Sequence, residues 1–328
     1  MLRPFLALVF LSSFAAQAGE APRLALPLEC VPGESCWIVN YVDEDASAQA
    51  RDYTCGPQTY DGHDGTDFAI RNLRAMREGV PVLASAAGTV RATRDGMADG
   101  QFSRDKASVV KDRECGNGIL IEHEDGWQTQ YCHLRRGSVA VRKGERVERG
   151  TKLGLVGMSG RAEFPHVHLT VREGRMAIDP FTRHAAGSGC GTAGDPLWEP
   201  AASERLRYRP VSIYDAGIAG DMPSVAQVVS GERLARAGRD SPTLAAWAAL
   251  YGVRAGDELA LTLLDPQGRT LAENRHRIER TQARRIEILG KRRGGASWPA
   301  GRYQLTVRIL REGGAIPASE RVLTLDLD

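Results

Sequence analysis

The stretch Gly118-Ile119-Leu120-Ile121-Glu122-His123, then Glu124-Asp125-Gly126, then Trp127-Gln128-Thr129-Gln130-Tyr131-Cys132, decides the fold class. Two runs rich in β-branched and aromatic residues flank a short acidic turn ending in glycine, which is the pattern of a β-hairpin. The same signal recurs outward from it, at Val80 to Ala84, Ala87 to Val90, Lys152 to Gly157 and His166 to Val171. Long helical periodicity is scarce, so the chain reads as mainly β.

Towards the C-terminus, Glu258 to Leu264 alternates polar and apolar residues before the turn Asp265-Pro266-Gln267-Gly268, and Gly301 to Ile309 repeats the alternation. Short alternating strands with turn signals between them predict a β-sandwich of immunoglobulin-like type. Thr243 to Tyr251 fits a strand or a short helix, and periodicity leaves both open. A length of 328 residues predicts about two domains. Small residues, Gly and Pro dominate from Ala185 to Gly189 and again from Glu199 to Ala202, as in a linker or surface loop. The division expected is a first domain over 19–190 and a sandwich over 191–328.

Composition excludes some partners. The 43 basic and 41 acidic side chains nearly cancel, so no stripe or domain of positive charge is available to grip nucleic acid. At the N-terminus, Met1-Leu2-Arg3 sets one positive charge before the apolar run Phe5 to Phe10, and Ala16-Gln17-Ala18 supplies a cleavage signal. Residues 1–18 therefore read as a signal peptide, with the mature chain starting at Gly19 and the protein periplasmic or secreted. The apolar run falls short of the roughly 18 residues that span a bilayer, so no membrane span is expected after cleavage. No cysteine directly follows the cleavage site, which argues against a lipid anchor.

Export implies an oxidising compartment, and six cysteines form an even set suited to disulfides. Proximity favours Cys30 with Cys36. Cys115 lies near the start of the hairpin whose return strand carries Cys132, leaving Cys55 for Cys190, although six cysteines allow about fifteen pairings. A cysteine zinc site is disfavoured, since no C-x-x-C pair exists.

The residues able to carry chemistry fall into three groups. His63-Asp64-Gly65-Thr66-Asp67 offers an imidazole and a carboxylate four residues apart, with Gly62 and Gly65 arguing for a bend that enters the strand Phe68-Ala69-Ile70. Alone, such a pair is commonly a surface pair. Pro165-His166-Val167-His168-Leu169 puts two imidazoles on one side of a strand. This suits a metal site, and equally a pair of solvated histidines. Tyr131-Cys132-His133-Leu134 ends the hairpin with a histidine in an apolar setting, where a core histidine is the plainer reading. His123 to Trp127 begins like H-E-x-x-H but has Trp127 in the second histidine's place, so it is not a thermolysin-type site.

Together these elements resemble the lysostaphin-type, or LytM-like, zinc metalloendopeptidases over about residues 60 to 181. The resemblance rests on H-x-G-x-D at His63 to Asp67, the strand pair from Pro81 to Val90, and the hairpin motif from Gly116 to His123. It continues through Y-x-H-L at Tyr131 to Leu134, glycines at 144, 150, 154, 157 and 160, and H-x-H at His166 to His168. It implies a duplicated hybrid motif fold, a LytM-like antiparallel β-sheet peptidase domain, and peptidoglycan as substrate. It also implies Zn2+ held by His63, Asp67 and His168, with His133 and His166 as unliganded catalytic histidines. Two histidines and one carboxylate leave a fourth position open for water, as in catalytic zinc sites.

Two features depart from the pattern. Asp61-Gly62 precedes His63 where many relatives carry glycine-arginine, and Arg161 to Phe164 replaces the usual Ser/Thr-Gly approach to H-x-H. The charged insertion Arg91 to Glu114 is expected as a wall of the substrate groove. Two other functions stay open: a non-enzymatic regulator of cell-wall amidases, as degenerate relatives are, and a secreted protease acting on proteins.

Overall fold

The computed structural model describes residues 20–103, 107–311 and 314–328, so the signal peptide expected over 1–18 lies outside the described residues. No helix among the described residues is long and apolar enough to cross a membrane. The first half runs β1 (Cys36–Asn40), β2 (Thr66–Ile70), α1 (Leu73–Glu78), β3 (Pro81–Leu83), β4 (Gly88–Arg94), α2 (Ala107–Val110), β5 (Asn117–Glu122) and β6 (Trp127–Leu134). It continues with β7 (Arg146–Val147), β8 (Lys152–Leu155), β9 (His166–Glu173) and β10 (Met176–Ile178). An antiparallel sheet orders these strands as β1-β2-β9-β6-β5-β4-β7, with β10 beside β9, while β3 pairs with β8.

The expected hairpin is β5 with β6. Its turn holds Asp125 at φ 55° and Gly126 at φ 80°, the left-handed region that a short polar residue and glycine enter most easily. Alternation then divides the sheet. Phe68, Ile70, Val167, Leu169, Trp127 and Tyr131 all join the first core, and Asp67, His166 and His168 fall on the opposite face. Fully burying a side chain such as Phe68 contributes roughly 1.5–3 kcal/mol, and truncating it to alanine costs about 3–5 kcal/mol. Three disulfides form, Cys30–Cys36, Cys55–Cys190 and Cys115–Cys132, the set favoured by sequence.

The first core extends past Cys190 to take in Leu197, Trp198, Ala202 and Leu206, the last two from α3 (Pro200–Arg205) and its end. The second core begins at Val211, so the change of core falls between Leu206 and Val211. The second half comprises β11 (Ser212–Ala219), α4 (Val225–Ser230), β12 (Thr243–Val253), β13 (Glu258–Leu264), β14 (Thr270–Arg277), β15 (Gln282–Arg292), β16 (Gly301–Arg311) and β17 (Gly314–Leu327). They make two antiparallel sheets, β11-β12-β15 and β14-β13-β16-β17, which enclose one core that includes Leu244, Leu250, Leu261 and Val307. The fold is therefore mainly β throughout. The fourth strand, β14, lies with the third, sixth and seventh, whereas constant-type immunoglobulin sandwiches carry it on the other sheet.

Strand β12 explains why its periodicity was ambiguous, because both of its faces are buried. Leu244, Ala246, Ala248 and Leu250 enter the sandwich core. Ala249 and Tyr251 pack instead with Trp37, Val39, Ala69 and Phe164 of the first half. The sandwich thus covers the face of the first sheet that carries the histidines.

Candidate metal centre

Strand pairing brings the chosen residues together. His63 lies in the bend before β2, Asp67 is on β2, and Asp67 stands directly opposite His168 of β9. His63 Nε2, Asp67 Oδ1 and His168 Nδ1 approach one another at 3.3, 3.1 and 2.9 Å, and these three residues form a group able to hold a metal ion. Gly65 permits this approach: a Cβ there would fall 2.6 Å from His168 Nε2.

Partners behind the three residues fix their orientation. His63 Nδ1–H donates to the Tyr41 carbonyl at 2.6 Å, so Nε2 keeps its lone pair for the centre. Asn40 donates to Asp67 Oδ2 at 2.7 Å, leaving Oδ1 towards the histidines. His168 turns Nδ1 inward, and its Nε2 lies 3.2 Å from Asp64 Oδ1 and 3.0 Å from Thr170 Oγ1. Arg172 in turn donates to Asp64 Oδ2 at 3.0 Å.

Charge tells the same story. Burial alone would raise Asp67, but the neighbouring His63 and His166, with hydrogen bonds from His168 and His63, hold its carboxyl well below the ordinary value. Burial opposes charge on His168, yet Asp64 and Asp67 outweigh it and raise the imidazole to about 9. Two carboxylates therefore call for positive charge at this point, and a divalent cation answers that demand with neutral imidazoles as ligands.

His133 and His166 stand alongside, with ring centroids 4.6 Å apart. His133 adopts φ 63°, a left-handed conformation uncommon for a non-glycine residue. It coincides with a register shift against β5 between Asn117 and Ile119. That break in alternation brings the imidazole of His133 beside His166 while Leu134 enters the core. Each ring donates Nδ1–H to a carbonyl at 2.8 Å, His133 to Ser159 and His166 to Phe164, so each Nε2 keeps its lone pair, that of His166 lying 3.5 Å from Asp67 Oδ1. Burial lowers both imidazoles below their ordinary value, His133 well below, with His166 and His168 adding to the effect on His133. Both are neutral near pH 7 and able to accept a proton.

All five residues chosen from sequence therefore gather in one place. Sequence reasoning missed Asn40, Asp64, Thr170 and Arg172. Asp64 and Thr170 had a signal, since one adjoins His63 and the other follows His168 by two residues on the same strand face. Asn40 had none, because only the pairing of β1 with β2 sets it opposite Asp67. His123 belongs elsewhere, between the Ala87 carbonyl and Thr129.

Residues 61–180 match the profile of Peptidase family M23. The peptidoglycan DD-endopeptidase ShyA of Vibrio cholerae is 35% identical over 106 residues, 32% of this chain and 19% of that protein. The cell division protein DipM of Caulobacter vibrioides is 33% identical over 115 residues, 33% of this chain and 16% of that protein. The chain thus spans less than a fifth of the length of these two relatives. The catalytic domain of lysostaphin from Staphylococcus simulans overlays with a TM-score of 0.29 at 21% identity, covering 43% of this chain and 86% of that one. Through residues 61–180, this chain carries a peptidase domain of family M23.

Proposed function

We propose that the protein is a zinc-dependent endopeptidase that hydrolyses peptide bonds in the stems or cross-links of peptidoglycan. The observation that carries the reading is the convergence of His63 Nε2, Asp67 Oδ1 and His168 Nδ1 beside two further imidazoles that keep their Nε2 lone pairs. Two imidazole nitrogens and one carboxylate oxygen are a donor set suited to zinc, with one tetrahedral position left for water or substrate. A zinc ion held there would supply Lewis acidity, acidifying water and polarising a carbonyl.

The protein's own groups do the remainder. Asn40, Tyr41, Thr170 and Asp64 orient the three ligands, and such partners are worth about 10–100-fold in metal affinity. His133 or His166, neutral and with its Nε2 lone pair, takes the proton from the attacking water as general base. The other imidazole, when protonated from solvent, stabilises the oxyanion by hydrogen bonding, and the base returns the water's proton to the departing amine as the peptide bond breaks. The names of ShyA and its relatives support peptidoglycan as the substrate class. Three disulfides and the leader pattern support a periplasmic or secreted location.

Incubating the pure protein with sacculi and with casein, with and without chelator, tests the reading. Chelator-sensitive release of peptide fragments from sacculi, with casein intact, is the result expected. Cleavage of casein alone would make the protein a general secreted protease. Folded protein that binds no zinc and cuts neither would make it a non-enzymatic regulator.

A further inference from the structure

A cleft of about 410 Å³ adjoins the metal centre, with Asp67 and His166 in its lining. Tyr60, Arg161 and Phe102, the last from the charged insertion, line it from the first half, while Gly252 and residues 281–283 line it from the sandwich. That second wall is held in place. Phe164 packs against His166 on one side and Tyr251 of β12 on the other, at centroid distances of 4.8 and 5.8 Å. The guanidinium of Arg284 lies 5.8 Å from the centroid of the same ring. Moving the sandwich away would expose Trp37, Tyr214 and Tyr251, all buried at this contact.

Arg161 brings charge to the cleft. Its guanidinium lies 5.6 Å from the centroid of the Phe102 ring, and among the described residues it makes no salt bridge. Its acidic neighbours, Glu114 and Glu163, are exposed, and Glu163 lines the same cleft. A guanidinium resting on an aromatic ring with its fork uncommitted is suited to bidentate binding of a carboxylate.

We propose that Arg161 binds a free carboxylate of the substrate peptide and that the sandwich, through residues 281–283, is the opposite wall of that subsite. The inference rests on the peptidase reading and narrows it, favouring peptides that carry carboxylates over peptides of neutral residues. The sandwich is then half of the substrate cleft, and both halves set selectivity.

Calorimetric titration of zinc-saturated His133→Ala protein, in which the ligand survives, tests this. The probes are a tetrapeptide stem with free carboxyls and the same peptide with its carboxyls amidated. The free acid should bind more tightly than the amide. Arg161→Gln should weaken the acid about tenfold and leave the amide within about twofold. Ala283→Glu, an exposed change on the sandwich, should weaken the acid roughly threefold or more, and Ala283→Lys should not. Equal binding of acid and amide, no binding of either, equal loss for both in Arg161→Gln, or indifference to charge at residue 283 would each overturn the proposal. Binding as expected by a wild-type protein that hydrolyses nothing would refute the peptidase reading and leave the carboxylate subsite standing.

Discussion

Asn40 and Asp67 are joined by a buried hydrogen bond of 2.7 Å, from the Asn40 amide to Asp67 Oδ2. The register of β1 on β2 sets the two residues opposite one another. With Oδ2 occupied, Oδ1 is the oxygen presented to His63 and His168. An edge strand outside the H-x-G-x-D motif thus orients the carboxylate of that motif.

Replacing Asn40 should accordingly loosen metal without removing a ligand. Asn40→Ala is expected to lower zinc affinity about 10–100-fold, with hydrolysis restored by added zinc and the fold intact by circular dichroism. Competition with a chromophoric chelator measures the change. Unaltered affinity would mean that Asp67 is oriented by other groups.

The disulfides should differ in what they contribute. Cys55–Cys190 closes 135 residues and Cys30–Cys36 only 6. On chain-entropy grounds the long bridge is worth about 5 kcal/mol and the short one about 2 kcal/mol. Chemical denaturation of the two double serine variants should rank them in that order, and thiol titration of the unfolded wild type should find no free cysteine. A reversed ranking would show that native-state packing, rather than chain entropy, governs these bridges.

Stability should fall as pH rises from mildly acidic to mildly basic. Burial, and then the charge of Asp179, raises the Glu44 carboxyl to about 8, and burial raises Asp179 to about 7. Both acids bind protons more tightly in the folded chain. The stability they contribute is therefore complete below the unfolded carboxylate value of about 4 and is lost as pH climbs through about 8. Calorimetry at pH 5 and pH 8 should show Tm falling by more for the wild type than for Glu44→Gln, which stays neutral. Parallel pH profiles for the two proteins would contradict this.

The sequence disclosed the centre better than its surroundings. His63, Asp67 and His168 were legible through the family resemblance carried by H-x-G-x-D and H-x-H; the bend and the strand alternation alone placed the side chains locally and left surface pairs equally open. His133 had a motif but no visible reason to leave the core; that reason is its left-handed backbone at a register shift. Asn40, Tyr251 and Arg161 gain their roles from pairing and packing across long sequence distances, which periodicity does not encode. Trp198 and Leu206 likewise carry the first core beyond the glycine-rich seam, because the seam marks chain composition rather than the limit of packing.

The zinc content of His166→Ala and His168→Ala proteins, purified in parallel with the wild type, tests the central claim most directly. Removing His168 takes one of three protein ligands, so zinc and hydrolysis should fall together. Removing His166 leaves His63, Asp67 and His168, so about one zinc per chain should remain while hydrolysis drops about a hundredfold or more. Zinc lost from His166→Ala but kept by His168→Ala would reverse the two roles, and a folded wild type without zinc would contradict the account.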